Sequence, residues 1–95
     1  MIVHLVCFKY RQEVDQAARA SHRQRLLGLA TIDGILDLKV GEDIVRSERS
    51  YDTGLLVVLR DKAALEGYRV HPRHVPVAQF GAGLCASIVA ADFEA

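Results

Sequence analysis

The 95-residue sequence has no tryptophan, only two prolines and two cysteines, one methionine, and no net charge, because 12 basic and 12 acidic residues cancel. Each shortage excludes something. Charge balance removes the electrostatic case for a nucleic acid or an anionic membrane as partner. The basic residues are spread out apart from Arg19, Arg23 and Arg25. No apolar run is long enough to span a bilayer, and "MIVHLVCFKY" lacks the basic start of a secretory signal. Cys7 and Cys85 stand alone in apolar stretches without CxxC or Cys/His finger spacing. They read as buried free thiols, and a cytoplasmic protein is expected. P-loop, GxSxG and HExxH patterns are absent, and Gly81 and Gly83 in "FGAGL" do not follow a strand, so no dinucleotide loop is present. No cofactor is expected. Without linker, repeat or low-complexity segment, residues 1–95 read as one small domain.

What is present is apolar residue, 51% of the chain. "IVHLVCFKY" is β-branched and aromatic and reads as a strand, with Ile2, His4, Val6 and Phe8 on one face and Val3, Leu5 and Cys7 on the other. "EVDQAARASHRQRLLGLA" reads as a helix whose stripe runs through Val14, Ala17, Ala18, Ser21, Arg25 and Leu29, widened by Leu26 and Leu27. Asp33-Gly34 is a turn. "ILDLKVGEDI" alternates as a strand, with Ile35, Asp37 and Lys39 opposite Leu36, Leu38 and Val40. After a polar loop, "GLLVVLR" is a strand apolar on both faces. "DKAALEGYRVHP" starts a second helix capped by Asp61, with Ala64, Leu65 and Tyr68 inward and a break at about His71 before Pro72. "HVPVAQFGAGL" is a further helical piece or turn, and "CASIVAADF" a last strand.

The order βαββαβ predicts an α+β ferredoxin-like sandwich, a four-stranded antiparallel sheet with helices on one face. Two helices cover one face only, yet the strands are apolar on both. A bare second face would be a large apolar patch. The economical cover is a second copy packed sheet to sheet about a two-fold axis, so a homodimer through the sheet face is expected.

"YRVHPRHVP" is the segment richest in chemistry. His71 and His74 are three apart, but a metal site needs three or four ligands and no acidic partner accompanies them, so no metal is expected. Two readings remain. Histidine can take and return a proton near neutrality, and the Tyr68 hydroxyl, six residues earlier, can polarise a carbonyl. Alternatively both histidines finish a helix ended by Pro72 and bind its last carbonyls.

Taken together, "MIVHLVCFKY", "GILDLKVGEDI", "YDTGLLVVL", "ALEGYRVHPRHV" and "VAADFE" resemble the stress-responsive A/B barrel (Dabb) family along essentially the whole chain. The "YxxHPxHV" element and the first-strand "HLV" are the most specific parts. The resemblance implies a dimeric α+β barrel of ferredoxin-like protomers with a pocket between helices and sheet. One plant branch of the family is a polyketide cyclase that closes its substrate by aldol condensation. Carried over by motif, His74 is the general base, Tyr68 its assistant, and His4 a pocket-lining residue. Val6 and Phe8, on the same strand face, and His71 complete the set of candidate substrate contacts. That branch lines its pocket with first-helix aromatics, whereas Ser21, His22 and Arg25 stand here, which points to a smaller or more polar ligand.

Three functions compete. The first is a cofactor-independent lyase or cyclase acting on a carbonyl compound. The second is a non-catalytic, stress-related dimer that binds a small-molecule ligand or a partner. The third, a monooxygenase of the same superfamily, ranks last: its haem-using members distort the ring with a tryptophan, which this chain lacks.

Overall fold

The computed structural model describes residues 1–95. Its elements are β1 (Ile2–Tyr10), α1 (Gln16–Leu27), a 3-10 turn (Gly28–Thr31), β2 (Ile35–Glu42), β3 (Thr53–Leu59), α2 (Lys62–Arg69), α3 (His74–Leu84) and β4 (Cys85–Glu94). The strands form one sheet in the order β2-β3-β1-β4, with every neighbouring pair antiparallel. This is the expected ferredoxin-like α+β arrangement, with the second helical region divided in two.

Strand alternation sends successive side chains to opposite faces. Val6, Phe8 and Tyr10 of β1 and Leu55, Val57 and Leu59 of β3 are buried on the face that meets the helices. All but Tyr10 join Leu26, Leu29, Leu65 and Tyr68 in one apolar core. The outer face is different. Register places Leu5 between Leu56 and Ala91, and Val3 between Val58 and Phe93. Leu5, Val89 and Phe93 are exposed there. Cys7 lies on the same outer face and is also exposed, contrary to the buried thiol expected; both cysteines are free. A flanking apolar sequence does not decide burial when the strand has one uncovered face.

Two face assignments change. In β2 the pairing shifts between Ile35 and Asp37. This bulge brings Ile35 to the core side with Leu38 and Val40 and leaves Leu36 exposed. In α1 the buried positions are His22 and Leu26, continued by Leu29 in the 3-10 turn. Ala17 and Arg25 are exposed, so the buried stripe is rotated from the expected one towards His22 and Leu26.

The second helix follows its sequence closely. Asp61 Oδ1 accepts from the Ala64 N–H at 2.8 Å, and Ala64, Leu65 and Tyr68 are its buried residues. It ends at Arg69, two residues before the expected break, and the chain turns through Pro72 into α3. Gly34 closes the turn before β2 at φ +93°, where a side chain would be strained and would also meet the Ala64 methyl.

Leu59 has no exposed surface and belongs to this core. Leu59→Ala is expected to lower unfolding free energy by about 3 kcal/mol, measured by urea denaturation.

Candidate functional site

Tyr68, His74 and His4 come together from three elements. The inward stripe of α2 carries the Tyr68 ring into the interior, where it is 1% exposed. The turn at Pro72 folds α3 back so that the His74 ring lies over the Tyr68 ring, centroids 4.2 Å apart. His4 meets Tyr68 edge to face at 5.8 Å from the core side of β1. Antiparallel register pairs His4 with Asp92 of β4, and the His4 Nδ1–H donates to the Asp92 carboxylate. Such a bond fixes the histidine tautomer and leaves Nε2 as the free ring nitrogen. Asp92 was not among the sequence candidates. It is one of two acids in β4, with Glu94, and only the register connects it to His4.

The His74 ring is oriented in the same way. Its Nδ1–H donates to the Arg69 carbonyl at 3.2 Å, so Nε2 bears the lone pair. Burial lowers the pKa of His74, opposed by the Arg69 carbonyl and reinforced by the nearby charges of His4, His71 and Arg69. The ring is therefore neutral and basic near pH 7. Burial pushes the Tyr68 phenol up to about 12, so it stays protonated. Its hydroxyl is buried and has no hydrogen-bond partner. A buried donor left unpaired costs about 1–3 kcal/mol, and native structures keep few of them.

The other sequence candidates divide. Val6 and Phe8 share the inner face of β1 with His4 and belong to the core. His71 lies in the turn between the helices. Its Nδ1 accepts from the Arg73 N–H at 3.1 Å, and its ring borders a hollow of about 300 Å³ with Ile32, Asp33 and Arg60. Tyr68 and His74 do not line that hollow. A larger one, about 570 Å³, opens on the outer sheet face between Leu5, Cys7, Gly41, Tyr51, Gly54 and Leu56. The buried Tyr68 ring lies between α2 and the sheet, where the pocket is expected.

A second polar group lies deeper, around His22, one of the residues that stand where the plant branch has first-helix aromatics. His22 has no exposed surface. Its Nδ1 is 2.7 Å from the Tyr10 hydroxyl, which is 3.0 Å from Thr53 Oγ1. The ring packs edge-on to Phe8 at 4.7 Å. Its Nε2 has no partner and faces Gly81 of α3, where an added Cβ would stand 2.5 Å away. A polar residue on a helix normally signals a wet face, and only the packing shows otherwise.

The profile of the Stress responsive A/B Barrel Domain matches residues 2–95. The chain belongs to this family. None of the curated proteins searched matches it. Among solved structures, the Dabb chain is similar to a dimeric ferredoxin-like protein of unknown function from Thermobifida fusca. That match has TM-score 0.91 and 23% identity, and covers 99% of this chain and 90% of the other. A dimeric ferredoxin-like protein of unknown function from Jannaschia sp. CCS1 matches at TM-score 0.84 and 27% identity, over 99% and 98% of the two chains. The hydroxynitrile lyase from Passiflora edulis matches at TM-score 0.87 and 15% identity, over 97% and 90%. No helix of this Dabb chain is long and apolar enough to cross a membrane.

Burial, aided by the charges of Arg23 and Arg25, lowers the pKa of His22 from 6.5 to about 4. The folded state therefore holds this ring neutral where the unfolded chain would protonate it. Stability from this site is complete above about pH 6.5 and is lost as pH falls towards 4, by roughly 3 kcal/mol. Urea midpoints measured from pH 7 to pH 4 should fall in the wild type and fall much less in His22→Gln, which has no proton to gain.

Proposed function

We propose that this Dabb protein is a cofactor-independent lyase or cyclase acting beside a carbonyl group, with His74 as general base and Tyr68 as the hydrogen-bond donor to the carbonyl oxygen. The observation that carries the reading is the buried, unpaired Tyr68 hydroxyl beside a neutral histidine whose tautomer leaves Nε2 basic. A donor that stays protonated and lacks a protein acceptor is suited to an oxygen that gains negative charge during reaction. His74 can take a proton from a carbon flanked by carbonyls, and Tyr68 then steadies the enolate oxygen. On a cyanohydrin, His74 takes the hydroxyl proton, the C–CN bond breaks, cyanide leaves with the electron pair, and the new carbonyl oxygen rests on Tyr68. The similarity to a hydroxynitrile lyase supports chemistry of this kind. His4, held by Asp92, packs against the Tyr68 ring and supports its position.

The functional unit is a homodimer through the outer sheet face. Three observations support this assembly. Leu5, Val89 and Phe93 are exposed on that face. Gly41 and Gly54 pair across β2 and β3 with open space above each, which invites close approach of another chain. Similar structures are described as dimeric.

Mandelonitrile cleavage, followed by benzaldehyde absorbance, and aldol closure of a β-keto thioester test the chemistry. His74→Ala is expected to lower kcat by 100-fold or more, on the order of general-base effects. Tyr68→Phe should lower kcat about tenfold or more while raising unfolding free energy by about 1 kcal/mol, because it removes an unpaired buried group. Wild-type protein that binds carbonyl compounds but turns over neither substrate class would mark a binding protein instead. For the assembly, light scattering should give twice the 10.5 kDa chain mass. Leu5→Lys, which buries a charge in the interface, should return it to one chain.

A further inference from the structure

Two polar atoms are buried without a partner, the Tyr68 hydroxyl and His22 Nε2, and the same helix covers both. The N-terminal turn of α3 sets the His74 ring on Tyr68, and its C-terminal half sets Gly81 against His22 Nε2. Gly81 is the only buried residue of α3. Besides the Val77 contact with the core, arginines hold the helix at its ends and middle. Arg73 Nη2 donates to the Gly28 carbonyl at 2.6 Å and to Thr31 Oγ1 at 2.9 Å. The Arg25 guanidinium lies 3.8 Å from the Phe80 ring centroid, and Arg11 donates to the Gly83 carbonyl. The apolar anchoring of α3 is partial: Val77 packs against the core and Phe80 and Leu84 are half-buried, while the surface arginine contacts re-form with water at small cost when the helix shifts.

The bonding around His22 indicates what its Nε2 offers. The Arg23 guanidinium can only donate, and it reaches Thr53 Oγ1 at 3.4 Å. Thr53 can then pass its own proton to the Tyr10 oxygen, and the Tyr10 proton goes to His22 Nδ1. A neutral ring that accepts at Nδ1 carries its proton at Nε2. The nitrogen under Gly81 is thus an N–H donor, like the Tyr68 hydroxyl.

Resting on the carbonyl-site reading above, we infer that His22 is a second polar anchor of the same interior site, and that the ligand is a dicarbonyl or keto-carboxyl compound. One oxygen takes the Tyr68 hydroxyl. The second, admitted when α3 moves off the ring, takes the His22 Nε2–H. His22 is a specificity residue in this scheme: it selects for the second oxygen and leaves proton transfer to His74. A site built to pair a polar group discriminates strongly against the analogue that lacks it, because its own donor is then stranded.

The test uses the diketones 2,4-pentanedione, 2,5-hexanedione and 2,6-heptanedione against their monoketones, so that no spacing is assumed. Dissociation constants are measured by titration on wild type, His22→Phe, His22→Gln and Tyr68→Phe. At least one diketone should bind the wild type about tenfold tighter than its monoketone, the equivalent of one good hydrogen bond. His22→Phe should remove that preference while still binding the monoketone, and His22→Gln, which keeps an N–H donor, should restore part of it. Tyr68→Phe should weaken both. Nitrogen-15 NMR of histidine-labelled wild type supplies a readout that needs no variant to fold: the His22 Nε2 resonance should move with the preferred diketone and not with the monoketone. Equal binding of the pair, a preference that survives His22→Phe, or an unmoved His22 resonance with diketone bound would overturn the anchor while leaving the Tyr68 site standing. If no ketone binds, or Tyr68→Phe binds as the wild type does, the carbonyl-site reading itself falls and the anchor with it.

Discussion

The structure depends on a sheet that is apolar on both faces but has helices enough for one. That imbalance decides where everything else goes. The inner face takes the core and, within it, the few polar side chains that the helices cover. The outer face, with Leu5, Leu56 and Phe93 in neighbouring rows, is left for another chain. The central strands β1 and β3 lack the apolar–polar alternation of a sheet with one face in water, and only β2 keeps it, through the exposed Asp37 and Lys39. The protomer is therefore arranged as half of a larger core, and the chemistry proposed for it lies on the side already closed.

On that closed side, burial does two jobs at once. It holds the His74 and His22 rings neutral and the Tyr68 phenol protonated. These are the states in which a base and a donor are useful near neutral pH. Each polar atom is fixed by a neighbour rather than by water: the Arg69 carbonyl for His74, Asp92 for His4, Tyr10 for His22. The Tyr68 hydroxyl and His22 Nε2 are the exceptions, and they are the atoms assigned to a ligand.

Much of the fold was legible in local sequence. The strand–helix order follows from periodicity and punctuation, and Asp61, the Ala64–Leu65–Tyr68 stripe and Pro72 each acted as their chemistry requires. What failed was non-local. The bulge at Leu36 depends on how β2 meets β3, so alternation alone put Ile35 on the wrong side. The inward position of His22 contradicts its polarity, and its partners Tyr10 and Thr53 lie on other elements. Asp92 becomes a partner of His4 only through antiparallel register. The motif brought Tyr68 and His74 into view, but the residues that orient a site come from distant parts of the chain, where spacing carries no information.

The closeness of Gly81 to His22 has a consequence for how such chains diverge. The glycine is tolerated in the middle of α3 because any side chain would run into the imidazole. A relative with a small residue in place of His22 would be released from that constraint and could carry alanine or serine at 81, gaining helix propensity. The two positions should then drift as a pair along the lineage, and a glycine in the middle of α3 would be the mark of a chain that still carries a ring beneath it.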